Sequence, residues 1–208
     1  REIQMVDLRA QYEKLGSEID GAMKSVLEST AFIKGPDVKL FEEELQSYMG
    51  VRHVISCANG TDALQLAMMV LGLKPGDEVI TTNFTFIASI EVVALLGFKL
   101  VLVDPEPGSF NISADAIRKA ITPRTRAIIP VHLFGQCADM ESIMDIAAEH
   151  NLFVVEDAAQ ASGTDYYFKD GSSAKAGTIG LIGTTSFFPS KNLGCYGDGG
   201  ALFTNDDR

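Results

Sequence analysis

Strand-length apolar runs alternate with helix-period segments along most of this chain, and that alternation predicts parallel βαβ units before any single residue is weighed. The candidate strands are 54–57, Glu78–Thr82, Lys99–Val103, 127–131, 152–156, 184–188 and 201–204. Their hydrophobicity is continuous rather than alternating, as in a sheet covered on both faces. Between them, Leu64, Ala67, Val70 and Leu71 fall on one helical side. Ile87, Ile90, Val93 and Ala94 do the same, as do Ile143, Ile146 and Ala147, so these segments read as crossover helices. The expected fold class is α/β, a three-layer α/β sandwich with a mainly parallel sheet. An amphipathic helix bearing Leu15, Ile19, Ala22, Met23 and Val26 precedes the sheet and is expected to dock outside it. The polar stretch 166–178 reads as an exposed hairpin or loop.

In open α/β sheets, ligands bind beyond the carboxyl ends of the strands, and three elements with chemistry fall there in order. The first is Ile55-Ser-Cys-Ala-Asn-Gly-Thr-Asp-Ala-Leu-Gln65, where a strand runs through Asn59, Gly60 and Thr61 into a helix. Backbone N–H groups at such a helix start, with the Thr61 hydroxyl, make a phosphate cradle. The second is Asp157, after the apolar run 152–155, and the third is Lys191 in Ser-Phe-Phe-Pro-Ser-Lys-Asn-Leu-Gly, beginning at Ser186. Alone, a loop lysine is a surface charge and an aspartate ending a strand is a turn residue. Together they match what pyridoxal 5'-phosphate requires: an amine to hold its aldehyde as a Schiff base, a carboxylate to keep its ring nitrogen protonated, and a phosphate site.

With these three motifs in order, the chain resembles the DegT/DnrJ-type nucleotide-sugar aminotransferases, fold-type-I pyridoxal phosphate enzymes. The resemblance extends over Gly35-Pro36 with Phe41-Glu42, Pro75-Gly-Asp-Glu-Val-Ile80, Thr81-Thr-Asn-Phe-Thr-Phe-Ile-Ala-Ser89, Ala127-Ile-Ile-Pro-Val-His-Leu-Phe-Gly-Gln136 and Gly197-Asp-Gly-Gly-Ala201. It implies that Lys191 and Asp157 are catalytic and that Phe86 stacks on the cofactor ring. It further implies that Gln160 bonds the ring hydroxyl, that Ser186 joins Gly60 and Thr61 at the phosphate, and that Phe84 is a wall or core residue. Relatives that dehydrate sugars carry histidine where this chain has Lys191. The implied activity is transamination of a nucleotide-linked keto-sugar with glutamate as donor. The motifs look most like those of enzymes acting on UDP-2-acetamido-3-keto-glucuronic acid, with a 3-keto or 4-keto deoxy-sugar on dTDP or UDP as the alternative. The family also implies a homodimer with shared active sites, and a small C-terminal domain beyond the large domain seen here.

Two other classes fit less well. A non-catalytic regulator on the same fold has no need of Lys191, Asp157 and Thr61 together. A nicotinamide-binding domain would show Gly-x-Gly-x-x-Gly after the first strand, which is lacking. With 28 acidic against 17 basic residues in 208, formal charge −11, and no basic stripe, nucleic-acid binding is not expected. No apolar run reaches membrane-span length, and the start, Arg1 to Asp7, has no leader pattern, so a cytoplasmic location is expected. Cys57, Cys137 and Cys195 read as reduced thiols, Cys195 as a packing residue, and the dispersed His53, His132 and His150 suggest no metal site. His132 stands between a place near the site and a core hydrogen bond. Gly197-Asp-Gly-Gly200 reads as a tight turn rather than a phosphate loop, because no helical pattern follows it.

Overall fold

In chain order the elements are α1 (Leu8–Ser29), α2 (Pro36–Met49), β1 (His53–Cys57), α3 (Gly60–Val70), β2 (Glu78–Thr82), α4 (Ala88–Leu95), β3 (Lys99–Val103), α5 (Ala114–Ala120), β4 (Thr125–Ile129), α6 (Met140–His150), β5 (Phe153–Asp157), β6 (Asp165–Tyr167), β7 (Ser173–Lys175), β8 (Ile182–Ser186) and β9 (Gly200–Thr204). This computed structural model describes residue 3 and residues 5–208. Residues 1, 2 and 4, on which the expectation of no leader partly rests, lie outside the described residues. Among the described residues no helix is long and apolar enough to cross a membrane.

A seven-stranded sheet has the order β1-β9-β8-β5-β4-β2-β3. Pairs β2·β3, β2·β4, β4·β5 and β5·β8 are parallel, and β9 alone runs against its neighbours β8 and β1. The reversal of β9 brings Gly200, at its start, to the same edge of the sheet as the carboxyl ends of the other strands. Successive residues of each central strand feed opposite layers. Val79, Ile129 and Val155 pack with Leu64 and Met68 of α3 and Val92 and Val93 of α4. Ile80, Ile128 and Val154 pack with Ile117 of α5 and Ile143 and Ile146 of α6. Continuous hydrophobicity in these strands therefore serves two cores, each buried aliphatic side chain contributing roughly 1.5–3 kcal/mol. A third cluster joins Leu45 and Met49 of α2 to Val54, Phe187 and Phe203.

The α/β sandwich is as expected, with several local corrections. Strand β4 starts two residues earlier than predicted and ends at Ile129, because Pro130 has no N–H for the ladder. Strand β8 likewise lies two residues upstream, and the chain after Ser186 turns so that the Phe187 N–H meets the Gly199 carbonyl at 2.7 Å. On α3 the buried residues are Ala63, Leu64, Ala67 and Met68, whereas Val70 is 70% exposed. On α4 they are Ala88, Ser89, Val92 and Val93, leaving Ile87 and Ala94 exposed. Helix α4 is apolar nearly all round, so its periodicity does not single out one face. Helix α1 buries no residue and does not dock on the sheet; Leu15 and Met23 stay 42% and 49% exposed. It approaches the domain through Tyr12, whose ring lies 6.1 Å from that of Tyr196. Segment 166–178 is the hairpin β6–β7, and Cys195 is held by the Phe187 carbonyl at 2.9 Å within the third cluster.

At the amino ends of the strands, the buried Glu78 carboxylate accepts from Lys99 and Arg124, each at 2.9 Å, and from the Thr122 hydroxyl. These donors, Thr122 foremost, lower its pKa from the usual 4.5 to about 2. A folded-state pKa below the unfolded one stabilises the protein above the unfolded value and is lost as pH falls through the folded one. Resistance to urea should therefore fall between about pH 4.5 and 2, and Glu78→Gln should flatten that part of the profile. An unchanged acid slope in the variant would count against this linkage.

Candidate active site

Strand β5 ends in two adjacent carboxylates that serve different layers. Glu156 is wholly buried and accepts from His132 Nε2 at 2.8 Å and from the backbone N–H of Gly177 and Ile179 at 2.9 and 2.7 Å. His132 Nδ1 accepts from the Ala138 N–H at 3.1 Å, so the ring proton sits on Nε2 and points at Glu156. His132 is thus a hydrogen-bonded core residue. Its own N–H holds the Asp157 carbonyl at 3.0 Å while the Asp157 N–H meets the Pro130 carbonyl at 2.9 Å. These bonds fix the backbone from which the Asp157 side chain, 5% exposed, reaches a cavity. Its Oδ2 accepts from the Ser89 hydroxyl at 2.6 Å and its Oδ1 from the Ala159 N–H at 3.1 Å.

That cavity, about 590 Å³, lies at the carboxyl edge of the sheet and is lined by every candidate residue: Gly60, Thr61, Phe86, Asp157, Gln160, Ser186 and Lys191. Phe84 does not line it. That residue is 44% exposed and stacks instead with Phe110, 5.3 Å between ring centres, and with Phe134, so it is not a core residue. Phe134 adopts a left-handed backbone with φ 56°, a conformation that costs a non-glycine residue roughly 1–2 kcal/mol. Its N–H donates to Gln160 Oε1 at 2.8 Å, which turns the Gln160 amide N–H₂ toward other partners.

The phosphate end is built by close packing. Asn59 caps α3, its side chain accepting from the Asp62 N–H at 2.8 Å, so the N–H groups of Gly60 and Thr61 in the first turn remain available. A Cβ on Gly60 would stand 2.6 Å from the Ser186 Cβ, and one on Gly200 would stand 2.4 Å from the Asn59 carbonyl carbon. Only glycines let β8, β9 and the start of α3 converge around this anion-sized cradle. Gly200 thus has a packing role that the tight-turn reading missed. Ser186 Oγ accepts from the Phe188 N–H at 3.2 Å and keeps its own proton to donate.

Lys191 follows a turn in which its N–H bonds the Phe188 carbonyl at 2.8 Å. Its Nζ makes no ion pair among the described residues. A free amine, a carboxylate addressed only by donors, and a cradle of N–H and hydroxyl groups all border one cavity. As a donor set, this fits pyridoxal phosphate at its aldehyde, ring nitrogen and phosphate. No group of histidine, cysteine and acidic side chains suited to a metal ion occurs among the described residues.

Comparison with known proteins gives the family. Residues 13–208 match the model of the DegT/DnrJ/EryC1/StrS aminotransferase family, and the chain belongs to that family. It is 49% identical to the UDP-2-acetamido-2-deoxy-3-oxo-D-glucuronate aminotransferase of Pseudomonas aeruginosa, over 99% of this chain and 56% of that protein. A pleiotropic regulatory protein of Geobacillus stearothermophilus is also 49% identical, over 99% of this chain and 54% of its own. The crystal structure of DesV from S. venezuelae, in complex with a ketimine intermediate, superposes with a TM-score of 0.92 and 44% identity, covering 99% of this chain and 54% of that one. The chain spans about half the length of the curated relatives it matches.

Proposed function

We propose that this chain is the cofactor-binding domain of a pyridoxal phosphate-dependent nucleotide-sugar aminotransferase. The carrying observation is the convergence of Lys191, Asp157 and the Gly60–Thr61–Ser186 cradle on one cavity. The cofactor, when bound, supplies an electron sink for the carbanion formed as an amino group is moved. The chain's own residues do the rest. Lys191 Nζ would hold the cofactor through its amine and would serve as the acid–base group that moves a proton at the donor α-carbon. Asp157 keeps the ring nitrogen protonated, Phe86 covers one ring face against water, and Gln160 offers its amide N–H₂ to the ring hydroxyl. Thr61, Ser186 and the first-turn N–H groups hold the phosphate.

Glutamate is the proposed donor, and UDP-2-acetamido-3-keto-glucuronic acid is the proposed acceptor, on the likeness to the Pseudomonas enzyme. Other keto-sugars on dTDP or UDP are the alternative. A cytoplasmic homodimer with shared sites belongs to the same proposal. Equal identity to a pleiotropic regulatory protein gives the non-catalytic reading its one support. The set of groups on this chain opposes it, since a binding surface does not need a lysine amine and a buried aspartate on one cavity. The deciding experiment offers the full-length protein glutamate and a panel of keto-sugar nucleotides and measures 2-oxoglutarate release. Cofactor binding without turnover on any acceptor would favour the regulator.

The cradle makes its own prediction. Combining Thr61→Ala with Ser186→Ala removes two hydrogen bonds to a charged group, each worth roughly 1.5–3 kcal/mol. Cofactor affinity measured by equilibrium dialysis should fall at least about a hundredfold, with little change in melting temperature of the cofactor-free protein. Unaltered affinity in the double variant would remove the phosphate from this place.

A further inference from the structure

The face that α4 turns inward carries Ala88, Val92 and Val93, together with a single hydroxyl, Ser89. Ser89 is 0% exposed. A buried serine on such a face costs free energy unless its hydroxyl is satisfied. Its Oγ lies 2.6 Å from Asp157 Oδ2 and 2.9 Å from Thr85 Oγ1. The contact with Asp157 spans 68 residues of sequence.

The direction of this chain of bonds follows from counting protons. A carboxylate only accepts and a hydroxyl has one proton to give, so Ser89 donates to Asp157 and is left to accept from Thr85. On the other carboxylate oxygen, the Ala159 N–H donates at 3.1 Å. One donor comes from α4 and the other from the turn after β5. Together they leave the carboxylate no free rotation about its own bond. Thr85 itself borders the cavity beside Phe86, so the relay runs from the cavity wall back to Asp157.

We infer that Ser89, with Thr85 behind it, is a positioning residue that sets the angle at which Asp157 meets the ring nitrogen of the cofactor. The inference rests on the proposed reading of Asp157. Ser89 is buried and does not border the cavity. Its effect passes through the carboxylate, because a hydrogen bond to the cofactor formed at the wrong angle is weak, and preorganised groups act only when already aimed.

The test uses the full-length protein loaded with cofactor labelled at its ring nitrogen. Ser89→Ala should shift the magnetic-resonance signal of that nitrogen and slow the glutamate-driven change in cofactor absorbance roughly tenfold, the loss of one hydrogen bond to a charged group. Cofactor affinity should change little, since the phosphate cradle and Lys191 are untouched. Ser89→Thr, which keeps the hydroxyl, should restore most of the rate, and Thr85→Val should cause a smaller loss of the same kind. In an Asp157→Asn background, Ser89→Ala should add almost nothing, because residues acting through one another are non-additive. Equal losses in both backgrounds, or an unmoved nitrogen signal, would overturn the positioning role. Should Asp157→Asn alone leave both signal and rate normal, the reading of Asp157 fails, and the inference falls with it.

Discussion

Borohydride reduction of the cofactor-loaded protein, followed by peptide mapping, is expected to leave a pyridoxyl group on Lys191 and on no other lysine. The competing amines are poorly placed for attachment. Lys175 is tied to Asp165 at 2.8 Å and lies 5.1 Å over the Tyr48 ring. The Asp165 hydrogen bond raises its pKa, so less of the reactive free amine is present. Lys169 is an exposed residue of the β6–β7 turn, outside the cavity. Lys191 instead borders the cavity with no carboxylate partner among the described residues. Lys191→Ala removes both the attachment point and the group that moves the proton. Loss of acid–base catalysis alone should slow the glutamate half-reaction roughly 10²–10⁴-fold. The variant should still bind cofactor through the phosphate cradle, measured as loosely held, dialysable absorbance. A pyridoxyl adduct on Lys175 or Lys169 in the native protein would sink the assignment.

Much of this site was legible because its groups sit at strand ends, where the chain must leave the sheet. Thr61, Phe86 and Lys191 follow strands, and Asp157 and Ser186 end them; hydrophobicity alone delimits those strands to within two residues, and the fold then gathers these residues at one edge. Residues that act through packing were not legible in this way. The need for glycine at 200 arises because a Cβ there would stand 2.4 Å from the Asn59 carbonyl, a contact that no sequence spacing encodes. Ser89 lies within the stretch Thr81–Ser89, yet its burial depends on α4 presenting Ala88, Ser89, Val92 and Val93 to the interior. That face was misassigned because a helix apolar all round gives no periodic cue. Glu156 was not legible either, since its partners, His132 and the N–H groups of Gly177 and Ile179, lie on two separate loops. Helix α1 shows the reverse case: its stripe reads as a buried face, but Leu15 and Met23 remain exposed on this chain. An amphipathic pattern reports that a surface is fit to be covered, without saying by what.

Asp157→Asn should preserve the fold while disabling the chemistry. The amide can keep both local bonds: its oxygen accepts from the Ala159 N–H, and its N–H₂ donates to Ser89, whose hydroxyl then turns toward Thr85. No buried polar atom is orphaned by this rearrangement, so the melting temperature should stay near that of the parent. On the proposed reading, the interaction lost is that between a carboxylate and the protonated ring nitrogen. Charge-assisted hydrogen bonds are worth roughly 1.5–3 kcal/mol, and more where water is excluded. Because the carboxylate would keep the ring nitrogen protonated, and a protonated ring is the better electron sink, its loss should fall on the proton-transfer step rather than on binding. The expected result is a fall in the glutamate half-reaction rate of about tenfold to a few hundredfold. Glutamate affinity should change far less, and the cofactor should remain attached to Lys191. Stopped-flow absorbance separates these quantities. A variant with near-normal rate and altered glutamate affinity would show that Asp157 contacts the donor rather than the ring, and the geometry around Ser89 would then have to be explained by substrate binding.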